Sequence, residues 1–156
     1  MKTTKIRWVI AHEPLSLFER AAKDFQSFVN EAQSAEKIEV EVMTLNEYSE
    51  KYNDGVNVSK HDLLDLMEAG KIEMSQMYTT WLAEDIEHDM LALEMPFIFE
   101  DHEHATRVLE GEVGEELLEK ITEKSNVRGM AFTYSGGFRN IIVDKPVTGI
   151  DDLGKK

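Results

Sequence analysis

Arg139 is the side chain whose neighbours best fit it to hold an anion. Gly136 and Gly137 precede it, Phe138 and Asn140 flank it, and Ile141 and Ile142 follow. A glycine doublet makes a tight, permissive connection, so the guanidinium arrives on a turn with apolar residues behind it and loses part of its hydration. Its planar fork then matches a carboxylate in bidentate fashion, a charge-assisted contact that contributes roughly 1.5 to 3 kcal/mol. The competing use of Arg139 is an internal ion pair with one of the many acids. His12 and Glu13 close the first apolar run and set an imidazole that titrates near neutrality beside a carboxylate. They form either an acid/base couple or a polar contact at a strand end. Tyr78, Thr79 and Trp81 end a later run and offer an aromatic wall for a small ligand, or a packing surface beneath a loop. His102 and His104 stand at i and i+2, which share no helix face, so they read as residues at a helix start and no metal site is expected.

Other chemistries lack their residues. There is no G-x-G-x-x-G after a strand, no P-loop, no H-E-x-x-H and no G-x-S-x-G, so neither a cofactor nor a catalytic residue is expected. The absence of cysteine removes thiolate nucleophiles, disulfides and Cys-ligated metals together. Lys and Arg number 17 against 31 Asp and Glu, a formal charge of −14 with neutral histidines. With no basic run as a local exception, nucleic acid and anionic lipid surfaces are poor partners. No apolar run approaches the ~18 residues of a membrane span, and MKTTKIRWVIAHEP holds no signal-type apolar core, so no membrane insertion is expected.

The elements that must position these groups follow from periodicity. At 156 residues, 42% hydrophobic and 31% charged, the chain is long enough for one domain with a buried core. Ile6 to Ala11 reads as a strand. Leu17, Phe18, Ala21, Ala22, Phe25, Phe28, Val29 and Ala32 recur at helical spacing from Leu15 to about Gln33, with Pro14 in the first turn. Ile38, Val40 and Val42 alternate with Glu39 and Glu41, which predicts a strand with one face in water. Asn46 to Ser59 reads as a polar loop. Ser59 then caps a helix through Leu63, Leu64, Leu66 and Met67 that ends at Gly70. Ile72 to Tyr78 is a candidate strand, and Met90 to Phe99, broken by Pro96, a buried loop or irregular strand. Asp101 caps a helix through Ala105, Val108 and Leu109, and Gly111 precedes a second helix burying Val113, Leu117, Leu118 and Ile121. Val127 to Tyr134 and Phe138 to Val143 read as strands. The order predicts a layered α/β domain with a mostly parallel sheet, whose ligands bind at the carboxyl ends of the strands.

Two long stretches, LEMPFIFEDHEHATRVLEGEVGEELLEKI and GMAFTYSGGFRNIIVDKPVTGIDDLGKK, together resemble the substrate-binding proteins of tripartite ATP-independent periplasmic (TRAP) transporters, the DctP-like family. The shared pattern is a Leu-Pro-Phe-type segment, a helix opening on Asp and His-Ala, a Gly-x-x-Gly-x-x-Leu helix, Gly-Phe-Arg, and Pro-Val…Asp-Leu-x-Gly-x-Lys. MEAGKIEMSQM resembles the family's approach to a strand, with Glu73 where Asp is commoner, while Asn46 to Ser59 departs from its Gly-Gln-Leu-Gly turn. The resemblance implies a type II-like periplasmic binding fold in which two α/β lobes close on a ligand about a hinge. Residues 1–156 then form a single lobe, the first and incomplete, with the second lobe absent from this chain. The strand carrying the family's main carboxylate-clamping arginine is absent with it. Arg139 stands at the Gly-Phe-Arg position, whose arginine helps bind the ligand carboxylate in some members. His12, Glu13, Tyr78, Thr79 and Trp81 fall near pocket positions.

The implied function is capture of a small organic acid in the periplasm and its delivery to TRAP membrane subunits, without catalysis. The signal peptide would be absent from this chain. Two rival readings stay open at this point: a sensor or interaction domain derived from the same lobe, and a small α/β enzyme using His12 and Glu13.

Overall fold

The structure, a computed structural model, describes residues 3–12, 15–32, 37–137, 142–149 and 152. Expectations for Glu13, Pro14, the Phe138 to Val143 strand and the helix near Asp151 lie wholly or largely outside the described residues.

The architecture is α/β, as expected. Strand β1 (Thr3–Ile10) is followed by helix α1 (Leu15–Glu31) and strand β2 (Lys37–Thr44). The two strands run parallel in register from Thr3 opposite Lys37 to Ile10 opposite Thr44. Strand β3 (Met74–Ser75) pairs with the other edge of β1, Trp8 opposite Met74 and Val9 opposite Ser75, which gives the parallel order β2-β1-β3. The alternation of β1 serves both sheet faces. Trp8 and Ile10 pack with Phe18 and Ala22 of α1. Val9 packs the opposite way, with Met43, Tyr48, Val58, Leu63 and Ile72.

That second face corrects two expectations. The polar Asn46 to Ser59 segment begins as helix α2 (Leu45–Tyr52). Its start is a capping box, in which Thr44 Oγ1 accepts from the Glu47 amide (3.3 Å) and Glu47 Oε2 accepts from the Thr44 amide (2.7 Å). Asn46, Glu47, Glu50 and Lys51 face solvent while Tyr48 and Ser49 are buried, so a helix that looks hydrophilic in sequence still contributes to the core. The β2 face expected in water is also engaged. Glu41 receives Lys5 (2.6 Å), Lys51 and the Tyr52 hydroxyl (2.6 Å). Burial pushes its carboxyl up, but the bonds from Lys5, Lys51 and Tyr52 outweigh this and bring it to about 2.

Ser59 caps as expected, accepting from the His61 amide at 3.2 Å. The first turn it opens is 3-10, Lys60–Asp62, before helix α3 (Leu63–Glu68). Gly70 ends that helix at φ +65°, where a side chain would be strained. Glu73 then fixes β3 to β1. Its carboxylate accepts from Arg7 Nε (2.9 Å) and the Arg7 amide (2.8 Å), and its own amide donates to the Arg7 carbonyl (3.2 Å). The fork holds the Glu73 carboxyl below the usual carboxylate range.

The remaining helices make a third core of Ala83, Met90, Leu117 and Ile121. It is built by α4 (Thr79–Asp85), a 3-10 helix His88–Glu94 and α6 (Glu112–Lys124), with α5 (His102–Leu109) packed on α6. Helix α4 was not anticipated, and the expected strand before it contracts to two residues. Met90 is buried, but the rest of the apolar run is not: after Glu94 the chain turns outward through Pro96 and Phe97, which sits at φ +63° and is 82% exposed. Val113, expected inside, is exposed on the outer face of α6. Residues 127–134 form no strand; side-chain bonds hold them instead, Gln76 Nε2 donating to Thr133 Oγ1 (3.2 Å) and the Gly129 amide to Thr122 Oγ1 (3.3 Å).

The Gly-x-x-Gly spacing has a steric cause. A Cβ on Gly111 would lie 2.5 Å from the Arg107 carbonyl oxygen, and one on Gly114 only 2.0 Å from that of Leu109. Both glycines let the start of α6 approach the end of α5. Gly114→Ala is expected to destabilise the chain by about 1–3 kcal/mol in urea unfolding, as overpacking against backbone does. Gly136→Ala, with nothing within 4 Å of the added carbon, is expected to stay within about 0.5 kcal/mol of the parent. Equal stabilities would contradict the packing described.

Candidate functional site

Strand β3 ends at Ser75, and the chain beyond it, residues 76–80, forms one wall of a cleft of about 370 Å³. Phe132 to Gly137 form the facing wall, and Phe18, Leu93, Glu94, Phe99 and His102 close the remaining sides. This is where an open parallel sheet leaves room, outside the carboxyl ends of its strands. The volume falls within the range of about 300–1,000 Å³ usual for small-molecule sites. Aromatic rings give apolar surface, and a few polar groups are fixed within it.

Local contacts hold those groups. Gln76 bridges the walls by its bond to Thr133, and its Oε1 is buried with no donor among the described residues. Thr79, the first residue of α4, donates its hydroxyl to Glu94 Oε1 at the end of the 3-10 helix. Tyr134 shares a 3.0 Å hydrogen bond with Thr106 of α5, and its ring meets the edge of His102 at 5.7 Å between centroids. His102 is positioned by Asp101, whose carboxylate caps α5 by accepting from the His104 amide at 2.7 Å.

Behind Tyr78 lies a second group. His12, at the end of β1, is 3% exposed, with ring centroids 4.2 Å from Tyr78, 4.7 Å from Trp81 and 6.5 Å from Phe18. Trp81 stacks on His61 at 4.5 Å, and Lys60 Nζ lies 5.0 Å from the Trp81 ring. Neither His12 nitrogen has a hydrogen-bond partner among the described residues. Burial, then the charges of Lys60 and His61, push the imidazole down to about 4. The ring is therefore neutral at pH 7, and the described groups that set its charge are bases rather than a carboxylate. It braces the aromatic wall from behind instead of opening into the cleft.

The structure thus brings His12, Tyr78 and Trp81 together and sets Tyr78 and Thr79 on the cleft. Trp81 faces Lys60 and His61. The glycine doublet expected to deliver an arginine stands on the cleft wall, while Phe138, Arg139, Asn140 and Glu13 lie outside the described residues. Gln76, Glu94, Lys60 and His61 were not anticipated. The Ser59-x-x-Asp62 cap was the available signal for the Lys60–His61 turn, and nothing local in the sequence marks Gln76 or Glu94.

Residues 10–155 match the DctP model, described as bacterial extracellular solute-binding protein, family 7. The chain belongs to that family. A solute-binding protein of Roseobacter denitrificans is 34% identical over 95 residues, covering 59% of this chain and 27% of the relative. A C4-dicarboxylate-binding periplasmic protein DctP of Rhodobacter capsulatus is 30% identical over 121 residues, 70% of this chain and 36% of the relative. A crystal structure of a TRAP periplasmic solute-binding protein from Ochrobactrum anthropi superposes with a TM-score of 0.61 at 19% identity, over 79% of this chain and 35% of that one. The chain thus spans about a third of the length of these relatives, and the structural likeness bears out the α/β lobe. A solute-binding family agrees with the reading that the chain is not an enzyme.

The buried His12 sets a pH dependence. Its folded value, about 4 against an ordinary 6.5, means that the unfolded chain binds the proton first as pH falls. Stability is complete above about 6.5 and declines toward 4. Between pH 7 and 5 the loss is expected to be of order 2 kcal/mol by urea unfolding. His12→Leu should flatten that segment, and an unchanged slope in the variant would contradict the buried, unpartnered imidazole.

Proposed function

We propose that this chain is the first ligand-binding lobe of a TRAP-type solute receptor, working outside the cytoplasmic membrane. It captures a small organic acid in the cleft between residues 76–80 and 132–137 and delivers it to TRAP membrane subunits. The observation that carries this reading is a cleft of small-molecule size at the strand ends of a family member. The acid is supported by the Rhodobacter relative, named for binding C4-dicarboxylates, and by Arg139, which follows the cleft-lining Gly137 by two residues in the chain. A guanidinium there offers the planar fork that a carboxylate accepts. The site would then combine one anchoring ion pair with aromatic walls that exclude water, as such pockets do. Closure of a facing lobe over the acid would present a changed surface to the membrane subunits.

The test is an NMR titration of the isotope-labelled chain with a panel of four-carbon acids, following backbone amides. At least one acid is expected to shift the amides of Tyr78 to Thr80 and Thr133 to Gly137 saturably. Arg139→Ala should abolish those shifts while leaving a folded spectrum. Absence of any saturable shift across the panel would overturn the reading. Unchanged titration of the variant would remove Arg139 from the site.

A further inference from the structure

We infer that His12 is the acid-sensitive pin of a joint inside this chain: protonation of its imidazole parts the sheet half, β1 to β3, from the helical half, α4 to α6, and opens the cleft that lies across them. The packing divides at that joint. No residue of the third core, Ala83, Met90, Leu117 and Ile121, belongs to either core that covers the sheet. Among the described residues, the ring contacts between the halves all pass through Tyr78 and Trp81 at the start of α4, which meet His12, His61 and Lys60 of the sheet half. Space lies beside this seam in two places. The cleft has Phe18 of α1 on its lining with Tyr78 to Thr80. A separate groove of about 350 Å³ is lined by His61, Asp65 and Glu68 from the sheet half and by Asp85 and Lys124 from the helical half. Acids on both walls of that groove repel each other, and Lys124 is drawn onto Glu87 at 2.7 Å. The aromatic contacts therefore hold the halves together.

His12 decides whether they hold. It is 3% exposed, and as a neutral ring it packs like any other aromatic against Tyr78 and Trp81. As an imidazolium it would be an enclosed cation with no acceptor among the described residues. Phe18, packed on it from α1, carries no charge, and Tyr78 and Trp81 from α4 bring no carboxylate. The 3-10 turn brings Lys60 and His61, which oppose a further positive charge. Trp81 already takes Lys60 over its ring and His61 in a stack, so it offers the new cation little compensation. Moving Tyr78 and Trp81 away lets water reach the charge, and that is the motion that opens the joint. The cleft loses its Tyr78 wall in the same step, whatever solute it takes.

The chain contains no cysteine, so a pair of labels can be placed without side reactions. Glu39→Cys on β2 and Glu119→Cys on α6, both exposed positions, carry spin labels whose separation is measured from pH 7.5 to 4.5 alongside far-ultraviolet circular dichroism. One distance is expected at pH 7.5. A second, longer one should grow on acidification with the helical signal unchanged, the opening constant rising roughly 70-fold across the range as the proton site passes from about 4 in the closed joint to an ordinary 6.5 in the open one. His12→Leu and His12→Phe, two apolar replacements of which one folded variant suffices, should keep the single distance throughout. Lys60→Met should move the growth of the longer distance to lower pH, because it removes a charge that opposes the imidazolium in the closed joint. A parent distance that stays constant to pH 4.5 overturns the inference. Lengthening in step with loss of the helical signal also overturns it, since that is unfolding of the whole chain, and lengthening in a folded His12 variant as in the parent removes His12 as the pin.

Discussion

The carboxyl half of strand β1 is buried on both faces and paired on both edges, and the strands beside it and the helices that cover the sheet take their places from that constraint. A strand in this position cannot alternate apolar with polar residues at its carboxyl half, so Trp8, Val9 and Ile10 are all buried. Each side chain then calls for a cover: α1 on the Trp8 and Ile10 side, α2 and α3 on the Val9 side. Parallel pairing with β2 and β3 also brings the strand ends out at one edge of the sheet. The cleft is the space left there. Register decides which residues line it, since a slip of one residue would exchange the two faces of β1 and turn His12 away from Tyr78.

Charge is arranged to hold that register. In a chain with a formal charge of −14, the described cations of β1 are used internally: Lys5 joins Lys51 on Glu41, and Arg7 forks onto Glu73. Lys5, Arg7 and Lys51 also crowd the ring of Tyr52 at 5.3 to 5.6 Å. The Arg7–Glu73 fork matters most for function. Strand β3 is only two residues long, and without the fork little backbone pairing would fix the segment that continues into Gln76, Tyr78 and Thr79. Lys60 is placed differently, over Trp81 and beside His61, where its charge adds to the burial that keeps the imidazole of His12 neutral.

Much of this was legible from residue spacing. Strong periodicity marked β1, α1, β2, α5 and α6, and the caps at Ser59 and Asp101 are where their residue types predict. The misreadings share a cause, which is tertiary context overriding local polarity. Helix α2 looked like a loop because only Tyr48 and a partly covered Leu45 and Tyr52 face the sheet, although the Thr44–Glu47 box was present in sequence. The apolar run Met90 to Phe99 looked buried, yet after Met90 it is largely exposed and turns outward at Phe97. Residues 127–134 have strand composition but no strand neighbour among the described residues, and Phe132 to Tyr134 line the cleft instead. For the site, the sequence named Tyr78, Thr79 and the Gly136–Gly137 turn, and it could not name Glu94 or Gln76, which reach the cleft only through the fold.

The central claim is that an organic acid sits at the carboxyl ends of these parallel strands, and a crystal structure of the chain grown with such an acid tests it most directly. The account predicts ligand density between residues 76–80 and 132–137, with its polar groups within hydrogen-bond distance of Gln76 or Glu94. A refined complex with the acid bound elsewhere on the chain and this cleft filled only by water would contradict it.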